Sequence, residues 1–266
     1  MGTQSGIHTY TGGIGNTRGF KRKGTKKGTN FESQKGGIKK DAFKSLPESS
    51  LIKQNCSEFG GAGLQTKVMN AEWNLRYKEL AGKLNSALQK FNMKVIKLGV
   101  GVRGQRPYNF TLHFAAFIGF LIGRKSFRSG IISAFTSVIA VGRNSVLVTF
   151  PTIPAADVKA PRGATHFRIS VGIFSKSDAA YDVTAKTYLP TSSNADMALA
   201  NTVYSAWFPV GVDVVAPTAL TAADVLVTMQ VEDTAIVIVG CEFSQEVNAV
   251  QYPMISQFCA SVVDAQ

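Results

Sequence analysis

Chemistry at neutral pH most often draws on histidine, cysteine or paired carboxylates, and this chain spaces all three in ways that suit no common catalytic site. Its three histidines, His8, His113 and His166, lie in unrelated stretches. A histidine-centred triad needs a nucleophile and an orienting acid converging on one imidazole, and no such grouping is legible. Cys56, Cys241 and Cys259 are an odd number, at spacings that fit neither a zinc site nor a disulfide framework. They read as reduced, mostly buried thiols, with a Cys241–Cys259 bridge left open for an oxidising compartment. No two His or Cys residues stand at metal-ligand spacing, and the carboxylates form no recognisable acid/base pair. The expectation is a non-enzymatic protein with no cofactor, metal or small-molecule substrate.

Two glycine-rich stretches imitate phosphate-binding loops without completing them. Gly13-Ile14-Gly15 is followed by Gly19, one residue too late for the dinucleotide fingerprint, and Thr25-Lys26 stands after Gly24 where a P-loop needs Lys-Ser/Thr. The basic residues around them point to a different use. Arg18, Lys21, Arg22, Lys23, Lys26 and Lys27 are dense enough to hold a polyanion, as are Arg103 and Arg106 in the loop Arg103-Gly104-Gln105-Arg106. Phe20, Phe31 and Tyr108 would then be available for stacking on bases. The two arginines of the loop have a structural alternative, which is to cap helix C-termini or pair with carboxylates of the acidic half. That alternative arises because charge is divided along the chain: residues 1–130 carry 23 Lys and Arg against 6 Asp and Glu, residues 131–266 carry 6 against 11. Opposite charge at the two ends suits a polyanion at one end, and equally a head-to-tail contact between copies.

Four segments would position these groups. Residues 1–57 form a basic, Gly-rich arm, with enough alternation for a short hairpin and too few apolar residues for a core of its own. Residues 58–130 form a helical region. Glu58 to Gly63 reads as the turn that launches it, and Leu64, Val68, Ala71 and Leu75 then recur at helical spacing. Tyr77, Leu80, Leu84, Leu88, Phe91 and Val95 continue the period on a shifted face, so the shift near Asn74 to Tyr77 predicts two helices or a kink. The run 108–123, with Phe110, Phe114, Phe117 and Phe120, is too short and too closely flanked by charge for a membrane span and reads as buried core. Residues 131–250 switch to a period of two, with strands expected at 131–141, 145–150, 165–174, 203–210, 225–231 and 234–243. Such a series predicts an antiparallel β-sandwich of immunoglobulin or fibronectin kind, making the whole chain α+β. Residues 251–266 read as a C-terminal tail that packs back on the domain or on a neighbour.

Several motifs spread along the chain, Ile14-Gly15-Asn16, Glu58-Phe59-Gly60, Arg103-Gly104-Gln105-Arg106, Gly163-Ala164-Thr165-His166-Phe167 and Gln245-Glu246-Val247-Asn248, together resemble a family of functionally uncharacterised Bacteroidota proteins of similar length. The resemblance implies a shared helical-plus-β architecture and transfers no activity. The functional expectation rests on the residues: a structural protein, a homo-oligomer that self-assembles through exchange of arm and tail, as in a ring, fibre, tube or phage-like particle. The competing expectation is nucleic-acid binding through the basic half. Met1 to Tyr10 lacks the apolar segment of a secretory signal, which makes the cytoplasm the default location, with a virion or other assembled particle as the alternative.

Overall fold

The computed structural model describes residues 2–4, 12–14, 17–20, 30–34, 40–77, 85–123, 125–194, 197–224 and 226–266. Two compact units divide the chain, residues 1–53 and 54–266. The first holds four short strands, β1 (Gly2–Gln4), β2 (Gly12–Ile14), β3 (Thr17–Phe20) and β4 (Asn30–Gln34), in the antiparallel order β1-β4-β3-β2. The expected hairpin is therefore part of a four-stranded sheet, in which Phe20 stands opposite Phe31. A short helix α1 (Lys40–Ser45) follows.

The second unit is a mixed helix and antiparallel-sheet structure whose later part is rich in sheet. Helices α2 (Leu51–Arg76), α3 (Asn85–Leu98) and the single turn α4 (Phe110–His113) precede the strands β5 (Thr136–Ile139), β6 (Ser145–Phe150), β7 (His166–Ser177), β8 (Ala179–Asp182), β9 (Thr187–Pro190), β10 (Ala200–Tyr204), β11 (Phe208–Pro209), β12 (Thr218–Ala223), β13 (Asp233–Val247), β14 (Val250–Pro253) and β15 (Cys259–Ala265). Long β7 and β13 pair from Asp233↔Ser177 to Ser244↔His166 and form the spine of a sheet ordered β10-β7-β13-β14, with β11 on β7 and β15 on β13. Strands β12, β6 and β5 make a second sheet, and β8 with β9 a hairpin.

Alternation along the spine sorts its side chains into two cores. On one face Phe174, Ile236 and Ile238 join Met69, Trp73 and Tyr77 of the α2 segment and Phe110 and Phe117 of the Phe-rich run. On the other, Ile169, Val171, Ile173, Val237 and Val239 join Val146, Val148 and Phe150 of β6 and Ala222 of β12. The helices and the strands on either side of residue 130 thus share a core, and the compositional break there is not a domain boundary. The tail expected at 251–266 is likewise part of the sheet. β15 pairs with β13 and buries Ala260 and Val262 in the helix-side core.

Helix α2 departs most from the sequence expectation. Glu58 to Gly63 is not a turn but lies in the middle of a continuous helix. Glycine is tolerated there because a side chain would not be: a Cβ on Gly61 would lie 2.4 Å from the Tyr188 ring. Close approach to the β9 side chain outweighs the helix-propensity cost of glycine, roughly 1 kcal/mol. The core stripe is also rotated. Ala62, Met69, Trp73 and Tyr77 are buried, whereas Leu64 and Leu75 of the expected stripe are 37% and 65% exposed. Steps of four, three and four separate the expected series and steps of seven, four and four the buried one, all of them helical, so period alone does not choose between them. The larger aromatic area on the Trp73 face does. α2 ends at Arg76, where the phase shift predicts a break; Leu80 and Leu84 lie outside the described residues.

Among the strands, 145–150, 165–174 and 234–243 correspond to β6, β7 and β13. Residues 226–232 are irregular instead of a strand, and Thr218–Ala223 takes the place on β6. The apolar residues Leu226 and Val231 that suggest a strand are 92% and 80% exposed.

Candidate functional site

Two features of the second unit bear on function: the arginine loop after α3 and an open groove along α2 and α3. Glycines position the loop. Gly104 has φ +91 and a Cβ on it would meet Gln54 of α2 at 2.9 Å, so its residue type is fixed by conformation and by contact. Against that turn lies Glu58, fully buried. Its Oε1 accepts from the Gly104 N–H at 2.8 Å and from Arg106 Nε at 2.7 Å, and its Oε2 accepts from Arg106 Nη2 at 2.6 Å. Burial pushes the Glu58 carboxyl up, but the Arg106 and Gly104 hydrogen bonds and the charges of Arg106 and Arg103 together hold it below the ordinary 4.5. Arg106 Nη1 also donates to the carbonyl of Lys97 in the last turn of α3 at 3.0 Å, and Arg103 donates to Asn55 Oδ1 at 2.8 Å. Tyr188 closes the arrangement by donating to the Arg106 carbonyl at 2.9 Å, and burial, ahead of the Glu58 charge, pushes its phenol well up.

Arg106 is thereby committed to a bidentate pair and a helix C-terminus, both structural uses. Its carboxylate comes from the basic half of the chain, not from the acidic half as expected. The other polyanion candidates are placed unevenly. Arg18 is in β3, its side chain outside what the structure describes, and Lys21, Arg22, Lys23, Lys26 and Lys27 lie outside the described residues. Tyr108 cannot stack on a base, because it is fully buried and its hydroxyl donates to Asn92 Oδ1 at 2.9 Å.

The groove is not visible in the sequence, since it is formed by the faces that α2 and α3 turn away from the sheet. Phe59, Ala71, Phe91, Met93, Leu98 and Phe120 make its apolar lining, and its volume is about 1620 Å³. The helices are tied at one point, where Gln89 Nε2 of α3 donates to the Phe59 carbonyl of α2 at 2.9 Å. Lys67, Lys90, Lys94 and Lys97 border the apolar lining. Among the described residues none of the four has a carboxylate within ion-pair distance. Four lysines are therefore concentrated around one concavity. An open groove of this size exceeds the usual 300–1,000 Å³ of small-molecule pockets.

The remaining reactive groups are dispersed. His166 Nε2 lies 3.4 Å from Glu246 and its Nδ1 3.0 Å from Thr165 Oγ1, but that hydroxyl already accepts the Glu246 N–H at 2.7 Å. His113 sits in α4, and His8 lies outside the described residues. Cys241 and Cys259 are opposed on β13 and β15, buried and unbridged, and Cys56 is exposed. Among the described residues no three His, Cys, Asp or Glu gather as metal ligands, and no helix is long and apolar enough to cross a membrane. No family model, curated protein or solved structure matches the chain.

Proposed function

We propose that this is a non-enzymatic structural protein that associates with copies of itself. The observation that carries the reading is the lysine-rimmed groove between α2 and α3, which leaves apolar helix surface uncovered next to four exposed cations that have no carboxylate partner among the described residues. A concave apolar surface edged by charge is a form that partner-binding grooves take. The C-terminal strand is engaged in its own sheet, so the proposal places contacts between subunits on the groove and the N-terminal arm in place of a tail. A β-sandwich of immunoglobulin-like kind, formed by the two facing sheets, would supply the rigid body of each subunit, in keeping with the architecture that the Bacteroidota resemblance implies. Sedimentation velocity and electron microscopy at rising concentration and low salt test the reading. Oligomers or particles are expected, and a protein that stays monomeric throughout overturns it.

A second reading is favoured by the clustering of Lys67, Lys90, Lys94 and Lys97, and the sequence of the first unit adds the positive charge of Arg18, Lys21, Arg22, Lys23, Lys26 and Lys27. Nucleic acid would then be held by its phosphates, with affinity falling steeply in salt and indifferent to sequence. Fluorescence anisotropy with a labelled single strand and a labelled duplex is the test. No binding to either at low salt removes this reading.

A further inference from the structure

We propose that the groove between α2 and α3 receives the loops 141–144 and 226–232 of a second copy, giving a head-to-tail contact; this rests on the self-association reading and names its two surfaces. Val141, Leu226 and Val231 are 102%, 92% and 80% exposed, which places them, with Val100, as the most exposed large apolar side chains among the described residues. Their loops are tied into one projection. The Asp224 N–H donates to the Asn144 carbonyl at 3.0 Å, Asn144 Nδ2 to the Val227 carbonyl at 3.4 Å, and Arg143 Nη2 to the Gln230 carbonyl at 2.7 Å. Asp224 and Glu232 flank the apolar tips, and neither forms an ion pair among the described residues. An apolar projection edged by carboxylates is the complement of an apolar groove edged by lysines.

The same chain cannot make this contact with itself. Its groove lies on helices that cover one face of the β7–β13 spine, and its loops belong to β5, β6 and β12, which cover the other. Groove against groove is disfavoured because lysines would face lysines. A contact between two different surfaces leaves one groove and one projection free on every pair, so it continues into a ring or an open chain of subunits.

Two double variants on exposed positions test the contact, each first checked by circular dichroism and thermal melting for an unchanged fold. Lys90→Glu with Lys94→Glu spoils the groove, and Leu226→Asp with Val231→Asp spoils the projection. In sedimentation velocity each variant alone is expected to be monomeric at concentrations where the parent associates, with affinity reduced about tenfold or more. A one-to-one mixture is expected to form a heterodimer and nothing larger, because one intact groove meets one intact projection. A parent that never associates overturns both the contact and the self-association reading. A parent that associates while the variants do so equally overturns the contact alone. Loss of assembly with the groove variant but not with the projection variant, or a mixture that stays monomeric, assigns the groove another occupant and also overturns it.

Discussion

At the scale of single residues, Glu58 is one of several buried charges on which stability turns. A fully buried carboxylate is sustained by three hydrogen bonds, and removing the bidentate partner leaves a charge with no solvent to replace it. Arg106→Ala is expected to destabilise the second unit by about 3 kcal/mol or more, measured by urea unfolding. Asp233 behaves similarly. Burial raises its carboxyl, while Ser177, the Gln230 N–H, Asn194 and Ser192 together bring it below its ordinary 3.8. Because both folded carboxyls titrate below their unfolded counterparts, their stabilisation is complete above the unfolded values, 4.5 and 3.8, and is lost as pH falls through the folded ones. Stability against urea should therefore decline on acidification below pH 4.5, and a Glu58→Gln, Asp233→Asn double variant should show a flatter acid limb from a lower plateau. An unchanged limb would refute the assignment. The thiols give a simpler count. Cys241 is buried and its thiol pushed well up by burial, then by Cys259 and Glu242, while Cys56 is exposed. Thiolate is the reactive form, so a thiol reagent should titrate one cysteine in the native protein and all three in denaturant.

At the scale of elements, α2 supplies a paired test from neighbouring positions. Gly60 has nothing within 4 Å of an added Cβ, whereas Gly61 has the Tyr188 ring at 2.4 Å. Gly60→Ala should stabilise by about 0.5–1 kcal/mol through helix propensity, and Gly61→Ala should destabilise by about 1–3 kcal/mol through overpacking. Thermal melts that move in the same direction for both would contradict the close packing of α2 on Tyr188. This helix also shows what a sequence can hide. Four glycines or alanines in a row signal a turn by propensity, and their helical role depends on Tyr188, more than a hundred residues away. By contrast β6 is legible because its burial alternates locally, and β7 and β13 because they are short runs rich in Ile, Val and Phe, the composition of a strand covered on both faces. Residues 225–231 have the same composition, yet 226–231 pair with no strand, and the exposed Leu226 and Val231 are what make the pattern misleading. The groove is illegible for a related cause: its lining comes from the outward faces of two helices, and the rotation of α2 is set by the core stripe Ala62, Met69, Trp73, Tyr77.

At the scale of the whole second unit, the shared core makes a strong statement about what can fold alone. Residues 131–266 look self-sufficient by composition, yet Phe174, Ile236 and Ile238 depend on Trp73, Tyr77 and Phe117 for their cover. A fragment 131–266 is expected to be aggregated or partly folded by circular dichroism, and a fragment 54–266 to unfold in one cooperative transition. Coincident loss of the helical signal and of tryptophan fluorescence would establish that cooperativity. The same dependence has a consequence for synthesis. Trp73 and Tyr77 leave the ribosome long before Phe258, Ala260 and Val262, which share their core. The aromatic face of α2 therefore stays incompletely covered until nearly two hundred further residues are translated, and the nascent chain should be a client for chaperones until β15 has emerged.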